Sequence, residues 1–194
     1  KQDWKKCLEL LEPDGSFKDM KEFEREIRAK ELTRKEFSYT EPQSRIVAMT
    51  SKAFQRLWAI SEALRKDEIP ADRRTEVKRA LYRAIERYGD IEVNRISTHS
   101  GRWHASCFFI PTAAVNLYFA NFSDMKEAEN GTCRDSDTLK ANAMLKKLAF
   151  QAWSQPMRND ATDQNIISPE RFRNSTFYVG GNALGYRPLL ESAL

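Results

Sequence analysis

Ile46-Val47-Ala48-Met49-Thr50-Ser51-Lys52-Ala53-Phe54-Gln55-Arg56-Leu57-Trp58-Ala59-Ile60-Ser61-Glu62-Ala63-Leu64 decides the secondary-structure class of this chain. Its apolar residues Ile46, Met49, Ala53, Leu57, Ile60 and Leu64 recur at intervals of three and four. That spacing lines one face of a helix, whose period is about 3.6 residues, and it does not fit the period of two of a half-buried strand. Moving toward the C-terminus, Val77, Leu81, Ala84, Ile85 and Tyr88 form a second stripe, and Gly89 is placed to cap it. Moving toward the N-terminus, residues 4–11 read as a short amphipathic helix stopped by the turn signal Pro13-Asp14-Gly15. Phe17, Met20, Phe23 and Ile27 follow at helical spacing in a charged segment. Around Glu41-Pro42 extended backbone is expected, because the residue before a proline avoids helical angles.

The second half continues the pattern. Residues 91–101 are polar and read as an irregular loop holding His99, whereas residues 103–122 are apolar on almost every side. A helix with that composition is one surrounded by other helices, with Pro111 in its early turns as a point of bending. A loop with Asn130-Gly131 comes next, and Asp135 or Ser136 is placed to cap a further helix. The stripe predicted for that helix is Leu139, Ala143, Leu145, Leu148, Ala149, Ala152 and Trp153. A polar loop is expected over 156–169. A closing helix then carries Gly180-Gly181, a pair that weakens a helix by about 1 kcal/mol per residue and allows close backbone approach.

No alternating strand pattern and no tandem repeat interrupts this series. The seven glycines, with abundant Lys, Glu, Arg, Ala and Leu, also favour helix over sheet. The expected fold is all-α: antiparallel helical hairpins in two layers, forming one domain over residues 1–194. The chain starts at Lys1 and stops at Leu194 within an apolar helical pattern, so it reads as a piece of a longer protein, with any secretion signal already removed. It holds no apolar run of the roughly 18 residues a membrane span needs. Its 32 basic and 28 acidic residues are interleaved, which permits a polyanionic ligand without demanding one. Cys7, Cys107 and Cys133 match no metal spacing and no disulfide framework, leaving either one bridge with a free thiol or three buried thiols.

Phosphate loops, nucleophile elbows, zinc-protease helices and paired-cysteine motifs are all absent from the sequence. Two clusters have the composition of a binding rim. Arg102-Trp103-His104 joins a cation, an aromatic face and an imidazole, with His99 nearby. Arg171, Arg173 and Asn174 join two guanidinium forks, which match carboxylate and sulfate geometry, to an uncharged amide donor. Asn-x-Ser/Thr acceptors stand at Asn121, Asn130 and Asn174.

Three places resemble the helical domain of polysaccharide lyases of the chondroitin and hyaluronan lyase type, most closely the chondroitin ABC lyase branch. Leu11-Glu12-Pro13-Asp14-Gly15-Ser16-Phe17-Lys18-Asp19 resembles their early Asp-Gly-Ser-aromatic-x-Asp turn. Trp103 followed by Ile110-Pro111 resembles their tryptophan-rich helix start, and Asn174 followed by Ala183-Leu184 resembles their asparagine-bearing helix. The resemblance implies part of an incomplete (α/α) toroid whose cleft takes an acidic polysaccharide. It implies β-elimination, in which a base removes the C5 proton of a uronic acid and the C4–O bond breaks. Asn174 would neutralise the uronate carboxylate, and Trp103, His104, Arg102, Arg171 and Arg173 would line the cleft. It further implies no cofactor, no metal, no nucleic acid and no membrane, with the remaining helices and a β domain of the parent enzyme as partners in a secreted or periplasmic setting.

Two departures stand out. The family's tryptophan cluster is reduced to Trp103-His104-Ala105, and its catalytic histidine, tyrosine and arginine sit on helices later than Leu194, since Tyr178 and Tyr186 do not lie in that motif. The competing expectation is a basic helical nucleic-acid-binding or adaptor module without enzymatic activity, which predicts steeply salt-dependent binding.

Overall fold

The computed structural model describes residues 2–29, 41–94 and 109–160. Its helices are α1 (Trp4–Leu10), α2 (Lys21–Ala29), α3 (Glu41–Arg65), α4 (Ala71–Asn94), α5 (Ile110–Ala120), α6 (Phe122–Glu129) and α7 (Ser136–Asp160), with a 3-10 turn at Lys18–Met20 before α2. No strand occurs among the described residues; Leu11 and Phe17 pair in one isolated antiparallel bridge. The all-α expectation holds.

All six stripe residues of α3 are buried, and so are Val47, Thr50, Phe54, Arg56, Ser61 and Ala63 beside them. The helix is therefore covered on more than one side. The main packing runs from α3 to α4, α4 to α7, α7 to α5 and α5 back to α3, while α1 covers a further face of α3 and α6 leans on α7. Full burial of each large aliphatic side chain, such as Leu57, Leu81, Ile85, Leu117 or Leu148, contributes about 1.5–3 kcal/mol.

Local chemistry sets the helix ends. Asp67 follows α3 in the left-handed region (φ 58°), and Glu68 N–H reaches back to Ala63 C=O at 2.9 Å. This is a Schellman closure with aspartate where glycine is usual. Arg74 holds it by an ion pair with Asp67 (2.7 Å) and by donating to Ile69 C=O (2.8 Å). The five residues 66–70 then turn the chain back so that α4 packs along α3. Asp135 caps α7 as expected, accepting from Thr138 N–H (2.9 Å) and Thr138 Oγ1 (2.7 Å).

The structure corrects several expectations. Glu41 and Pro42 open α3 and are not extended, because a proline in the first turn gives up an N–H that has no intrahelical acceptor. Gly89 is no cap: α4 continues to Asn94, and a Cβ at Gly89 would lie 2.3 Å from Met144 Cγ. Glycine here lets α4 approach α7. Pro111 occupies the opening turn of α5, and residues 103–108, where the expected helix begins, lie outside the described residues. The expected loop around Asn130 is shorter than anticipated, because α6 fills 122–129. On α7, Leu139 and Ala143 face solvent, and the buried face is Thr138, Ala141, Asn142, Leu145, Leu148 and Ala149. The polar loop expected from Pro156 begins later, since α7 runs through Pro156 to Asp160. Cys7 is buried, with burial pushing its thiol pKa up, whereas Cys133 is half-buried and so departs from a set of three buried thiols. Cys107 lies outside the described residues.

Candidate functional site

Arg102, Trp103, His104, Arg171, Arg173 and Asn174 all lie outside the described residues, as do His99 and Gly180-Gly181. The described chain contains the first of the three lyase-like places and the Ile110-Pro111 step of the second. Both Ile110 and Pro111 are buried at the head of α5.

Residues 11–19 form a knot that ties the N-terminal segment to α3 and α4. Asp14 Oδ1 accepts from Ser16 N–H (2.9 Å) and Ser16 Oγ (2.6 Å), and these bonds, the side-chain one first, hold its carboxyl below the usual range. Gly15 sits at φ 81°, and a Cβ there would lie 2.5 Å from the Ala84 backbone nitrogen, so conformation and contact with α4 both require glycine. Phe17 is fully buried; its N–H donates to Tyr88 Oη (2.8 Å), and Tyr88 in turn donates to the buried carboxylate Glu24 Oε1 (2.6 Å). Arg87 pairs with the other Glu24 oxygen (2.5 Å). Asp19 takes both arms of the buried Arg56 guanidinium at 2.7 Å, which lowers its pKa to about 2. Lys21 pairs with Glu12 across the same turn. Asp14, Ser16 and Asp19 are thus engaged in holding the turn, and the motif serves the fold.

The candidate site is a groove of 440 Å³ between α1, α3 and the head of α5. Trp58 stands on α3 directly after the buried Leu57 and is 37% exposed, a large indole left facing the groove. Trp4 and Phe109, both half-buried, supply further aromatic wall, and Ala59 and Ala63 leave space beside them. Gln2 donates to Gln55 Oε1 at 3.3 Å along one edge. Glu62, Glu68 and Lys66 complete the lining. Arg65 holds Glu62 through two bonds of 3.0 and 2.9 Å, with Lys66 at 4.0 Å. A more open hollow adjoins the groove, sharing Trp4 and Glu68 and adding Lys5 and Arg73. Such an arrangement suits a flat, partly apolar ligand carrying several hydroxyl or amide groups: rings stack on the indoles, and amides and carboxylates exchange hydrogen bonds at the edges.

One signal in the sequence points to this groove: Trp58 falls off the apolar stripe of α3, on the exposed face that also carries Gln55. Its other walls come from Trp4 and Phe109, 54 residues before and 51 residues after it (58 − 4 and 109 − 58), and local periodicity does not connect them.

The remaining polar networks are internal braces. Tyr82 donates to Asp124 (2.5 Å), which also pairs with Lys78 (2.9 Å), and burial first, then that bond, raises the tyrosine pKa. Glu129 is paired with Lys146 (2.8 Å) and accepts from Tyr118 (2.8 Å). Asn121, between α5 and α6, is buried and donates to Ser61 Oγ (2.7 Å) and Leu117 C=O (2.8 Å), so this glycosylation acceptor is enclosed, whereas Asn130 is exposed.

Among the described residues no group of His, Cys, Asp and Glu has the arrangement to hold a metal ion, and no helix is long and apolar enough to cross a membrane. No protein-family model, curated protein or solved structure matches this chain.

Proposed function

We propose that the chain is the N-terminal part of the helical catalytic domain of a polysaccharide lyase, one that cleaves uronic-acid-containing glycosaminoglycan (chondroitin, dermatan sulfate or hyaluronan) by β-elimination within an incomplete (α/α) toroid. The observation that carries the reading is the order of three lyase-like places along an all-helical chain. In the first of these, the turn residues fasten the fold: Asp14 bonds Ser16, and Asp19 is locked by Arg56. The aromatic groove at Trp4, Trp58 and Phe109 adds a surface suited to sugar rings.

In this mechanism the chain supplies binding and charge stabilisation. The C5 proton of a uronate is too weakly acidic to remove while the neighbouring carboxylate keeps its full charge. An amide donor such as Asn174 lowers that barrier by bonding the charge that develops on the enolate. Trp103 stacks on a ring, and Arg102, His104, Arg171 and Arg173 attract the acidic groups. By the same resemblance, the groups that remove and deliver the proton belong to helices later than Leu194. The secreted or periplasmic setting is part of this proposal.

The alternative of a nucleic-acid-binding or adaptor module draws less support from the charge arrangement. Arg56, Arg83, Arg87 and Lys78 are each spent on carboxylates of this chain at 2.5–2.9 Å. The test is a titration with chondroitin oligosaccharides, repeated with Asn174→Ala and Trp103→Ala. Weakened binding in both variants supports the lyase reading, and equal binding in all three proteins counts against it. Absorbance of an unsaturated uronate tests turnover, and none is expected from this chain alone.

A further inference from the structure

We infer that the groove at Trp58 is an accessory subsite for an uncharged amino-sugar ring, an N-acetylhexosamine, and not for the acidic ring of the polymer. The inference rests on the lyase reading for its choice between two rings, because a glycosaminoglycan alternates an amino sugar with a uronic acid. Charge decides which ring fits: the lining carries Glu62, Glu68 and Lys66. Lys66 and the neighbouring Arg65 are both paired with Glu62, so these cations are already matched within the chain. A uronate or sulfate entering here gains no net attraction and has Glu68 beside it, whereas a neutral ring needs no counter-charge.

The shape and chemistry of the walls fit the neutral ring. Trp58, 37% exposed, offers an indole on which the apolar face of a pyranose can lie. Phe109, Ala59 and Ala63 leave an apolar recess suited to an acetyl methyl, and the Gln2–Gln55 amide pair offers donors and acceptors for the acetamido group and ring hydroxyls. The volume of 440 Å³ lies within the range of about 300–1,000 Å³ typical of small-ligand sites.

The experiment is a tryptophan-fluorescence titration with a neutral N-acetylhexosamine disaccharide and, separately, an unsulfated chondroitin tetrasaccharide. The proteins are the wild-type chain, Trp58→Ala, Gln55→Ala and Trp103→Ala, each checked by thermal melting. Expected are saturable binding of the neutral disaccharide, a loss of at least about fivefold in affinity for Trp58→Ala, and about threefold for Gln55→Ala. Gln55 is exposed, so its variant keeps the test valid should Trp58→Ala melt early. Absence of neutral-disaccharide binding up to about 10 mM, or unchanged affinity in a variant that melts like wild type, overturns the inference. Chondroitin binding that persists through Trp58→Ala but is lost in Trp103→Ala overturns this subsite and leaves the lyase reading standing. No chondroitin binding to any of the proteins, with the neutral disaccharide still bound and weakened by Trp58→Ala, leaves the groove standing as a neutral-sugar site and counts against the lyase reading.

Discussion

Replacing Tyr88 by phenylalanine removes one oxygen from the knot that joins residues 11–19 to α4. That oxygen accepts from Phe17 N–H at 2.8 Å and donates to Glu24 Oε1 at 2.6 Å, and Tyr88, Phe17 and Glu24 are all buried. The ring remains in place against Phe17 (centroids 5.6 Å apart), so apolar burial is nearly unchanged and the loss is polar. A hydrogen bond to a charged group contributes about 1.5–3 kcal/mol, and an orphaned buried N–H costs about 1–3 kcal/mol. Arg87 still pairs with Glu24 at 2.5 Å, so the carboxylate keeps a partner and the sum falls toward the lower end, about 3 kcal/mol. With a urea m-value of about 2 kcal/mol/M, the unfolding midpoint drops by about 1.5 M. The assay is equilibrium urea unfolding followed by far-ultraviolet circular dichroism and by tryptophan fluorescence. A loss below about 1 kcal/mol at unchanged m would refute the claim that this hydroxyl fastens the turn.

Three further outcomes are expected. The Asp19 pKa is lowered to about 2 chiefly by the Arg56 hydrogen bonds, so its stabilising contribution is present above the ordinary aspartate value and fades as pH falls from about 4 toward 2. Because Asp19 is about 35% exposed, screening reduces that contribution to about 1 kcal/mol, and Asp19→Asn should flatten the acid limb of the stability–pH curve; an unchanged limb argues against the pair. Gly89→Ala gains about 1 kcal/mol of helix propensity but forces Met144 aside at a cost of about 1–3 kcal/mol, giving a net loss of roughly 1 kcal/mol in thermal unfolding. Met144→Ala in the same chain should erase the penalty, and a stabilised Gly89→Ala would show that α4 and α7 do not pack as described. Expressed through a eukaryotic secretory route, the chain should carry glycan at the exposed Asn130 and none at the buried Asn121, read as the mass shift lost in Asn130→Gln; modification of Asn121 would contradict its bonds to Ser61 and Leu117.

The helices whose apolar residues keep one register were legible in the sequence. Every stripe residue assigned to α3 and α4 is buried, because long aliphatic side chains at three- and four-residue spacing leave one way to hide them. The errors arose where a distant contact overrides a local signal. Gly89 looks like a helix stop, yet it sits inside α4 because Met144, 55 residues later (144 − 89), occupies the space a side chain would need. The break between α5 and α6 depends on Asn121 bonding Ser61 on another helix, so the apolar run of 103–122 hides it. On α7 the expected Leu145, Leu148 and Ala149 are buried, but the first turns depart from the stripe because Thr138 and Asn142, both polar, lie on the buried face while Leu139 lies on the exposed one. The groove was illegible for a related reason: its aromatic walls come from α1, α3 and the residue just before α5, and only Trp58, out of phase with its own stripe, hints at it.

The most direct test of the lyase account is calorimetric titration of the chain with an unsulfated chondroitin tetrasaccharide, beside the same titration of Asn174→Ala and Trp103→Ala. The account predicts saturable binding to the wild-type protein, weakened about fivefold or more in each variant. Equal affinity in all three proteins, or no heat of binding from any of them, would contradict it.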